Sequence, residues 1–98
     1  MTKAVFDEEI HSPVRLRVCS MLGAAESVDF ATLSTALGVA DSVLSKHLSR
    51  LEEAGYVTVA KLPAAGHIRT WVGLTKSGRR ALAEHLAELR QIADDAGM

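Results

Sequence analysis

The chain has 98 residues, of which 48% are hydrophobic and 23% charged, and its net charge is −1. This length and composition indicate one globular domain, too small for the cleft of a typical enzyme. We expect neither a signal peptide nor a membrane-spanning segment, since no apolar run approaches the roughly 20 residues that a membrane helix needs. Cys19 is the only cysteine, which excludes a disulfide framework within the chain and favours a cytoplasmic location.

The charges are unevenly distributed along the chain. Residues 42–80 contain seven basic and two acidic side chains, a net +5, whereas residues 1–41 and 81–98 each carry a net −3. A basic segment attracts an anionic partner even when the whole chain is slightly acidic. The distribution therefore keeps nucleic acid among the partners to be considered.

Three helices are predicted in the first half of the chain. The first spans residues 12–25, with Ser12 as its N-cap and Pro13 at its first position. Residues 29–55 form two further helices: Asp29 caps the second, Gly38 ends it, and Asp41 caps the third. Since only residues 38–40 separate these two helices, the pair is predicted to be a helix-turn-helix unit.

The second half is predicted to contain a β-hairpin and a long helix. Residues 56–74 alternate with a period of two on either side of "PAAG", which predicts two strands joined by a flexible tip. Trp71 in this hairpin is expected to pack against a helix or a partner. Residues 75–96 form a helix about 30 Å long that begins after the cap Thr75. The predicted fold class is mainly α with a small β-hairpin, in the order helix, helix, helix, hairpin, helix.

The third helix has a buried face and a polar face. Leu44, Leu48 and Leu51 lie within about 40° of one another on a helical wheel and form the buried stripe. The opposite face begins with serines and basic side chains and becomes acidic only in the last turn. Short side chains let the backbone approach DNA, while lysine and arginine reach phosphates or base edges. The pattern favours a helix that enters the major groove over one that is merely solvated, and His47, on the core side, is predicted to be packed.

The segment "LSTALGVADSVLSKHLSRLEEAGYVTVAKLPAAGHIRTWVGLTKSG" resembles the winged helix-turn-helix of bacterial transcriptional regulators related to the MarR and ArsR families. The resemblance runs from about His11 to Leu89 and combines S-x-L-S-K-H-L-x-x-L-E-x-A-G-Y-V, G-x-x-R-T and L-T-x-x-G. It implies one winged-helix domain over residues 1–98, whose third helix reads double-stranded DNA and whose hairpin, the wing, contacts the backbone or minor groove. The DNA-binding residues that it implies are Thr32, Ser42, Val43, Ser45, Lys46, Ser49 and Arg50, with Lys61, His67, Arg69 and Thr70 on the wing.

The last helix carries an apolar stripe that is longer than a domain of this size needs for its own core. The resemblance implies a twofold dimer built by the terminal helices, and an exposed apolar face of this length has to be covered. The alternative is a helix packed entirely within the monomer. We expect a homodimer interface formed by Leu82, Leu86, Leu89 and Ile92.

Two other functions are compatible with such a sequence. A module for protein–protein contact would present an apolar third helix, whereas this helix presents serine and lysine. A metal-responsive regulator of the ArsR type is suggested by His85 and Glu88, but the Asp-x-His and Cys-x-Cys motifs are absent. No enzymatic motif stands out. We therefore expect a non-enzymatic repressor without metal or cofactor, in which a small-molecule effector would have room only between protomers.

Overall fold

The computed structural model describes residues 2–98, which form helices and one three-stranded antiparallel sheet. None of the helices described is both long and apolar enough to cross a membrane. The sheet has the strand order β1-β3-β2. The elements are α1 Glu8–His11, α2 Pro13–Gly23, β1 Val28–Asp29, α3 Phe30–Leu37, α4 Asp41–Glu53, β2 Val57–Ala64, β3 His67–Leu74 and α5 Lys76–Asp95.

Side-chain caps fix the starts of three helices where the sequence predicts them. The Ser12 hydroxyl accepts from the Arg15 amide before α2, Asp29 from the Thr32 amide at 2.7 Å before α3, and Thr75 from Gly78 before α5. These oxygens satisfy backbone donors that have no partner within the helix. The caps therefore set where the helix-turn-helix and the last helix begin.

The prediction that Asp41 caps the third helix is wrong. Ala40 occupies the cap position without a side-chain hydrogen bond, and Asp41 is the first residue of α4. Its carboxylate accepts from the Ser34 hydroxyl at 2.8 Å and so connects α4 to α3. An acidic side chain in the first turn also interacts favourably with the helix dipole, which explains why aspartate suits this position.

Two elements were not predicted from the sequence. The short helix α1 precedes the expected first helix, and Asp7 caps it by accepting from the Glu9 and Ile10 amides. The two-residue strand β1 pairs Val28 with Val72 and adds a third strand to the hairpin. Correspondingly, α2 ends at Gly23 instead of residue 25, since the chain must turn to enter β1.

The hairpin tip is a tight two-residue turn. Ala64 pairs with His67, which leaves Ala65 and Gly66 as the connection, and both have positive φ, 49° and 84°. Such angles match the type I′ turn that suits the twist of a hairpin. Pro63, expected in the flexible tip, instead lies within β2 opposite Ile68.

The core lies between the helices and one face of the sheet. The start of α5 is hydrogen-bonded to the chain segment that follows α4, and this contact closes the core. At this contact, a side chain at Gly78 would place its Cβ 2.1 Å from the Tyr56 carbonyl oxygen. Burial raises the pKa of the Cys19 thiol to about 11, in keeping with a packing role. The buried hydrophobic residues are Ile10, Val18, Cys19, Leu22, Leu33, Leu37, Leu44, Leu48, Leu51, Val57, Val72, Ala81 and Leu82.

Candidate nucleic-acid interface

The polar face of α4 is open to solvent. Leu44, Leu48 and Leu51 are buried in the core, which orients the helix as its periodicity predicts. The opposite face is therefore available over the first three turns of the helix. All six residues predicted to contact DNA from this helix are exposed: Ser42, Val43, Ser45, Lys46, Ser49 and Arg50.

His47 is partly buried, as predicted, and it contacts the side chain of a buried arginine. The Nη1 group of Arg15, from α2, donates to His47 Nδ1 over 3.0 Å, so the imidazole proton resides on Nε2. Burial, followed by the nearby positive charges of Arg15 and Arg50, lowers the pKa of His47. A neutral His47 thus joins α4 to α2 rather than to DNA.

The wing and α4 share a groove of about 400 Å³. Lys61 of β2 and Thr70 of β3 are cross-strand neighbours and line it opposite Ser45 and Ser49. The structure therefore brings two predicted residues from the helix and two from the wing to one concave surface. Phe30, Leu48 and Val59 supply the apolar lining of this groove, and Asp41 and Glu52 supply its acidic groups.

The remaining predicted wing residues lie on the other face of the hairpin. Side chains alternate between the two faces of a strand, so His67 and Arg69 point away from the face that carries Thr70. The Nη1 group of Arg69 donates to Asp29 Oδ2 over 3.5 Å. Lys61 and Thr70 thus line the groove facing α4, whereas His67 and Arg69 line a second pocket beside the start of α3, which Thr70 also borders.

Thr32 lies in the first turn of α3 and is exposed, next to the cap Asp29. Hydrogen bonds from Thr32, and to a lesser extent the charge of Arg69, hold the pKa of Asp29 below its usual value.

Trp71 lies on the outer face of the sheet, where Ala60, Leu62 and the loop residues Glu26 and Ser27 surround it. No described helix residue lines that pocket, so the expectation that Trp71 packs against a helix or a partner stays a prediction.

Arg50 has a carboxylate partner that its position in the sequence does not suggest. Its Nε donates to Glu9 Oε2 and its Nη2 to Glu9 Oε1, each over 3.1 Å. The hydrogen bond from Arg50 lowers the pKa of Glu9. Glu9 lies 41 positions away along the chain, in the helix α1 that the periodicity did not reveal.

His85, considered above as a metal ligand, is fully buried and already has two hydrogen-bond partners. The Asp7 amide donates to its Nδ1 over 2.9 Å, and its Nε2 lies 3.2 Å from His11 Nδ1. Between residues 2 and 98, no group of three or more His, Cys, Asp or Glu side chains could hold a metal ion. The ring of His85 thus joins α5 to the N-terminal segment.

The apolar stripe of α5 is only partly available to a partner. Leu82 is 8% exposed and belongs to the core of its own chain, so it offers little surface to a partner. The start of α5 lies against α2, which explains this burial. Leu86 and Leu89 are half-buried, and Ile92 is 49% exposed.

The sequence matches the family described as winged helix DNA-binding domain over residues 14–93. The protein MJ0432 of Methanocaldococcus jannaschii, described as uncharacterized, is 31% identical over 83 residues. The aligned region covers 85% of this chain and 90% of that protein.

Solved structures share the architecture. That of a transcriptional regulator homologue from Pyrococcus horikoshii OT3 has a TM-score of 0.88 at 25% identity and covers 94% of this chain and 91% of its own. The PcaV transcriptional regulator of Streptomyces coelicolor, solved with its natural ligand, has a TM-score of 0.77 at 25% identity, over 91% of this chain but 62% of its own. A MarR-family protein of Enterococcus faecalis V583 shares the fold at 23% identity and a TM-score of 0.73, over 91% of this chain and 79% of its own. The predicted fold is confirmed, and the chain belongs to the winged helix DNA-binding domain family.

Proposed function

We propose that this DNA-binding domain is a sequence-specific transcriptional repressor that acts as a homodimer. The observation that carries the proposal is the exposed row of serines and Lys46 on α4, beside Lys61 in a shared groove. Serine hydroxyls and backbone amides bond phosphates or base edges at short range, and the lysines add attraction to the phosphate backbone. The match to a DNA-binding family and the overlap with the Pyrococcus regulator homologue support it.

The dimensions of α4 suit the major groove. Its 13 residues give a length of about 20 Å, and a helix with side chains is about 10–12 Å across, against a groove width of about 12 Å. We propose that the first turns of α4 enter this groove. The wing, with Lys61 and Thr70 on the face toward α4, would then contact the adjacent backbone or minor groove.

The dimer is proposed to form through the end of α5 and the N-terminal segment. Val5 and Phe6 are partly exposed, and the Val5 amide donates to the Glu84 carbonyl over 3.1 Å, so this segment runs beside α5. In this proposal, these two residues together with Leu89 and Ile92 supply the apolar surface that a second copy covers. A twofold dimer presents its two α4 helices to half-sites about one helical turn apart, roughly 34–36 Å.

Occupation of promoter DNA by such a dimer is the simplest route to repression. Two solved neighbours are named with ligands: PcaV with its natural ligand and NadR with 4-hydroxyphenylacetate. This chain spans 62% of the length of each of those chains. An effector of this protein would, in our proposal, occupy the cleft between protomers.

Selection from a pool of random duplexes tests the proposal. The full chain should enrich an inverted repeat, protect it in footprinting, and sediment as a dimer at micromolar concentration. Placing that repeat over a reporter promoter should lower expression when the protein is present. Failure to enrich any sequence over the starting pool would refute sequence-specific binding and favour a module for protein–protein contact.

A further inference from the structure

The arginines and the lysines of the proposed DNA surface differ in their electrostatic partners. Within the described chain, residues 2–98, the ion pairs are Arg50 with Glu9 and Arg69 with Asp29. Lys46 and Lys61 are exposed and belong to neither pair. The surface thus combines free lysine charges with arginines whose charge is offset by a carboxylate.

The contact between Glu9 and Arg50 has two hydrogen bonds and a defined orientation. Nε and Nη2 of the guanidinium both face the carboxylate at 3.1 Å, a side-on geometry that leaves Nη1 and one Nη2 hydrogen free to bind elsewhere. The Arg50 side chain is 58% exposed, so these free donors are accessible.

The backbone of Glu9 is itself fixed relative to α4. Its amide donates to Asp7 Oδ1 over 2.9 Å, and its carbonyl accepts from the Nε of Arg15. Arg15 is buried and also donates to His47 of α4. The backbone of Glu9 is therefore fixed through both its amide and its carbonyl before it meets Arg50. Because Glu9 is already ordered, orienting the guanidinium costs less conformational entropy.

A guanidinium paired in this way differs from a free cation in its effect on DNA binding. Attraction to any duplex depends on net charge near the phosphates, whereas discrimination depends on directed hydrogen bonds. The carboxylate of Glu9 offsets the charge of Arg50 toward the phosphates but leaves N–H donors free. Pairing with Glu9 therefore reduces the attraction of Arg50 to any duplex more than it reduces the ability of Arg50 to discriminate between sequences.

We propose that Glu9 is a specificity-determining residue of the DNA-binding surface. It suppresses the contribution of Arg50 to sequence-independent binding and holds the guanidinium in the orientation used on the operator. This inference rests on the proposed function, since it requires an operator. It adds a role for α1, which lies outside the helix-turn-helix and the wing.

The test compares Glu9→Gln with Glu53→Gln in the full-length protein. Both variants remove one negative charge near Arg50, but the described contacts of Arg50 include hydrogen bonds to Glu9 and none to Glu53. Dissociation constants are measured on the selected operator and a scrambled duplex from 50 to 200 mM salt. Thermal melts confirm that both variants fold.

For Glu9→Gln, we expect scrambled-duplex affinity to rise on the order of tenfold per protomer at 0.1 M salt, because the Arg50 charge becomes free. The salt slope on that duplex should steepen by about 0.9 per protomer. Operator affinity should stay within about threefold, so the preference for operator falls. Glu53→Gln should change both affinities by one common factor and preserve the preference.

The effect should also depend on Arg50. In an Arg50→Ala background, Glu9→Gln should leave the ratio of the two affinities unchanged. An equal effect of Glu9→Gln and Glu53→Gln on that ratio would overturn the inference, as would an equal loss of affinity on both duplexes with Glu9→Gln. If the wild-type protein itself shows no operator preference, the proposed function fails, which the wild-type titration reveals separately.

Discussion

Lowering the pH from 7.5 to 5.5 is expected to destabilise the fold through His85. This side chain is fully buried between α5 and the N-terminal segment. Its Nδ1 accepts the Asp7 amide at 2.9 Å, so its proton lies on Nε2 and is donated to His11 Nδ1 over 3.2 Å. A proton added to Nδ1 would face the Asp7 N–H and remove that hydrogen bond.

The pKa of His85 is lowered, first by burial and then by the neighbouring His11, while Asp7, Glu88 and Glu8 act in the opposite direction. Because the pKa is lower in the folded state, the unfolded chain binds the proton more readily. Stability is therefore complete above the unfolded value of about 6.5 and falls as the pH drops below it. The loss approaches about 1.4 kcal/mol per pH unit until the folded-state pKa is reached.

His85→Gln isolates this contribution. A glutamine side chain can accept from the Asp7 amide and donate to His11, but it does not titrate. Urea unfolding between pH 5.5 and 7.5 should give a shallower pH dependence for this variant than for the wild type. His67→Gln, which removes an exposed histidine at the wing, serves as the matched control and should retain the wild-type slope.

The range from pH 7.5 to 5.5 distinguishes the contribution of histidines to stability from that of carboxylates. The pKa values of Glu9 and Asp29 are lowered, so their contributions are present above about pH 4.5 and are lost only as the pH falls further. His47 also has a lowered pKa and contributes to the slope that remains in His85→Gln. Identical slopes for wild type and His85→Gln would refute the reasoning. So would equal protection of the Asp7 amide at both pH values, with its exchange rate taken relative to that of the unfolded chain at the same pH.

Four further variants test stability, assembly and DNA affinity. Gly78→Ala should destabilise the fold by about 3 kcal/mol in urea unfolding, since its Cβ would lie 2.1 Å from the Tyr56 carbonyl; a loss below about 0.5 kcal/mol would contradict this. Ala65→Asn should stabilise by about 0.5–1 kcal/mol, because Asn-Gly suits the type I′ turn, and an unchanged melting temperature would argue against strain at φ 49°. Ile92→Glu should yield monomers in sedimentation, whereas Lys46→Ala should leave the dimer intact and weaken DNA binding in titrations.

The sequence predicts the parts of this fold that depend on local pattern. Leu44, Leu48 and Leu51 recur at helical spacing, and Ser12, Asp29 and Thr75 are strong caps, so the helices follow directly. The exposed serines of α4 follow from the same periodicity. These features need no knowledge of distant contacts.

The features that could not be predicted depend on contacts between distant residues. β1 has only two residues, too few for a periodicity, and it exists because β3 offers it hydrogen bonds. Leu82 fits an exposed stripe on a helical wheel, yet packing of α5 against α2 buries it. The partners of Arg50 and Arg69 are 41 and 40 positions away, so a charge count sees two free cations where the fold has two ion pairs.

The N-terminal segment connects α5, the proposed dimer helix, to α4, the proposed recognition helix. The Asp7 amide donates to His85 on α5, and its carboxylate accepts from the hydroxyl of Tyr56, which lies between α4 and β2. Two residues later, Glu9 contacts Arg50 on α4 itself. These contacts belong to one short helix and its cap, so α1 and the residues before it contribute to holding α4 in place relative to α5. In a twofold dimer, that placement fixes the distance between the two recognition helices, and hence the half-site spacing that the protein accepts.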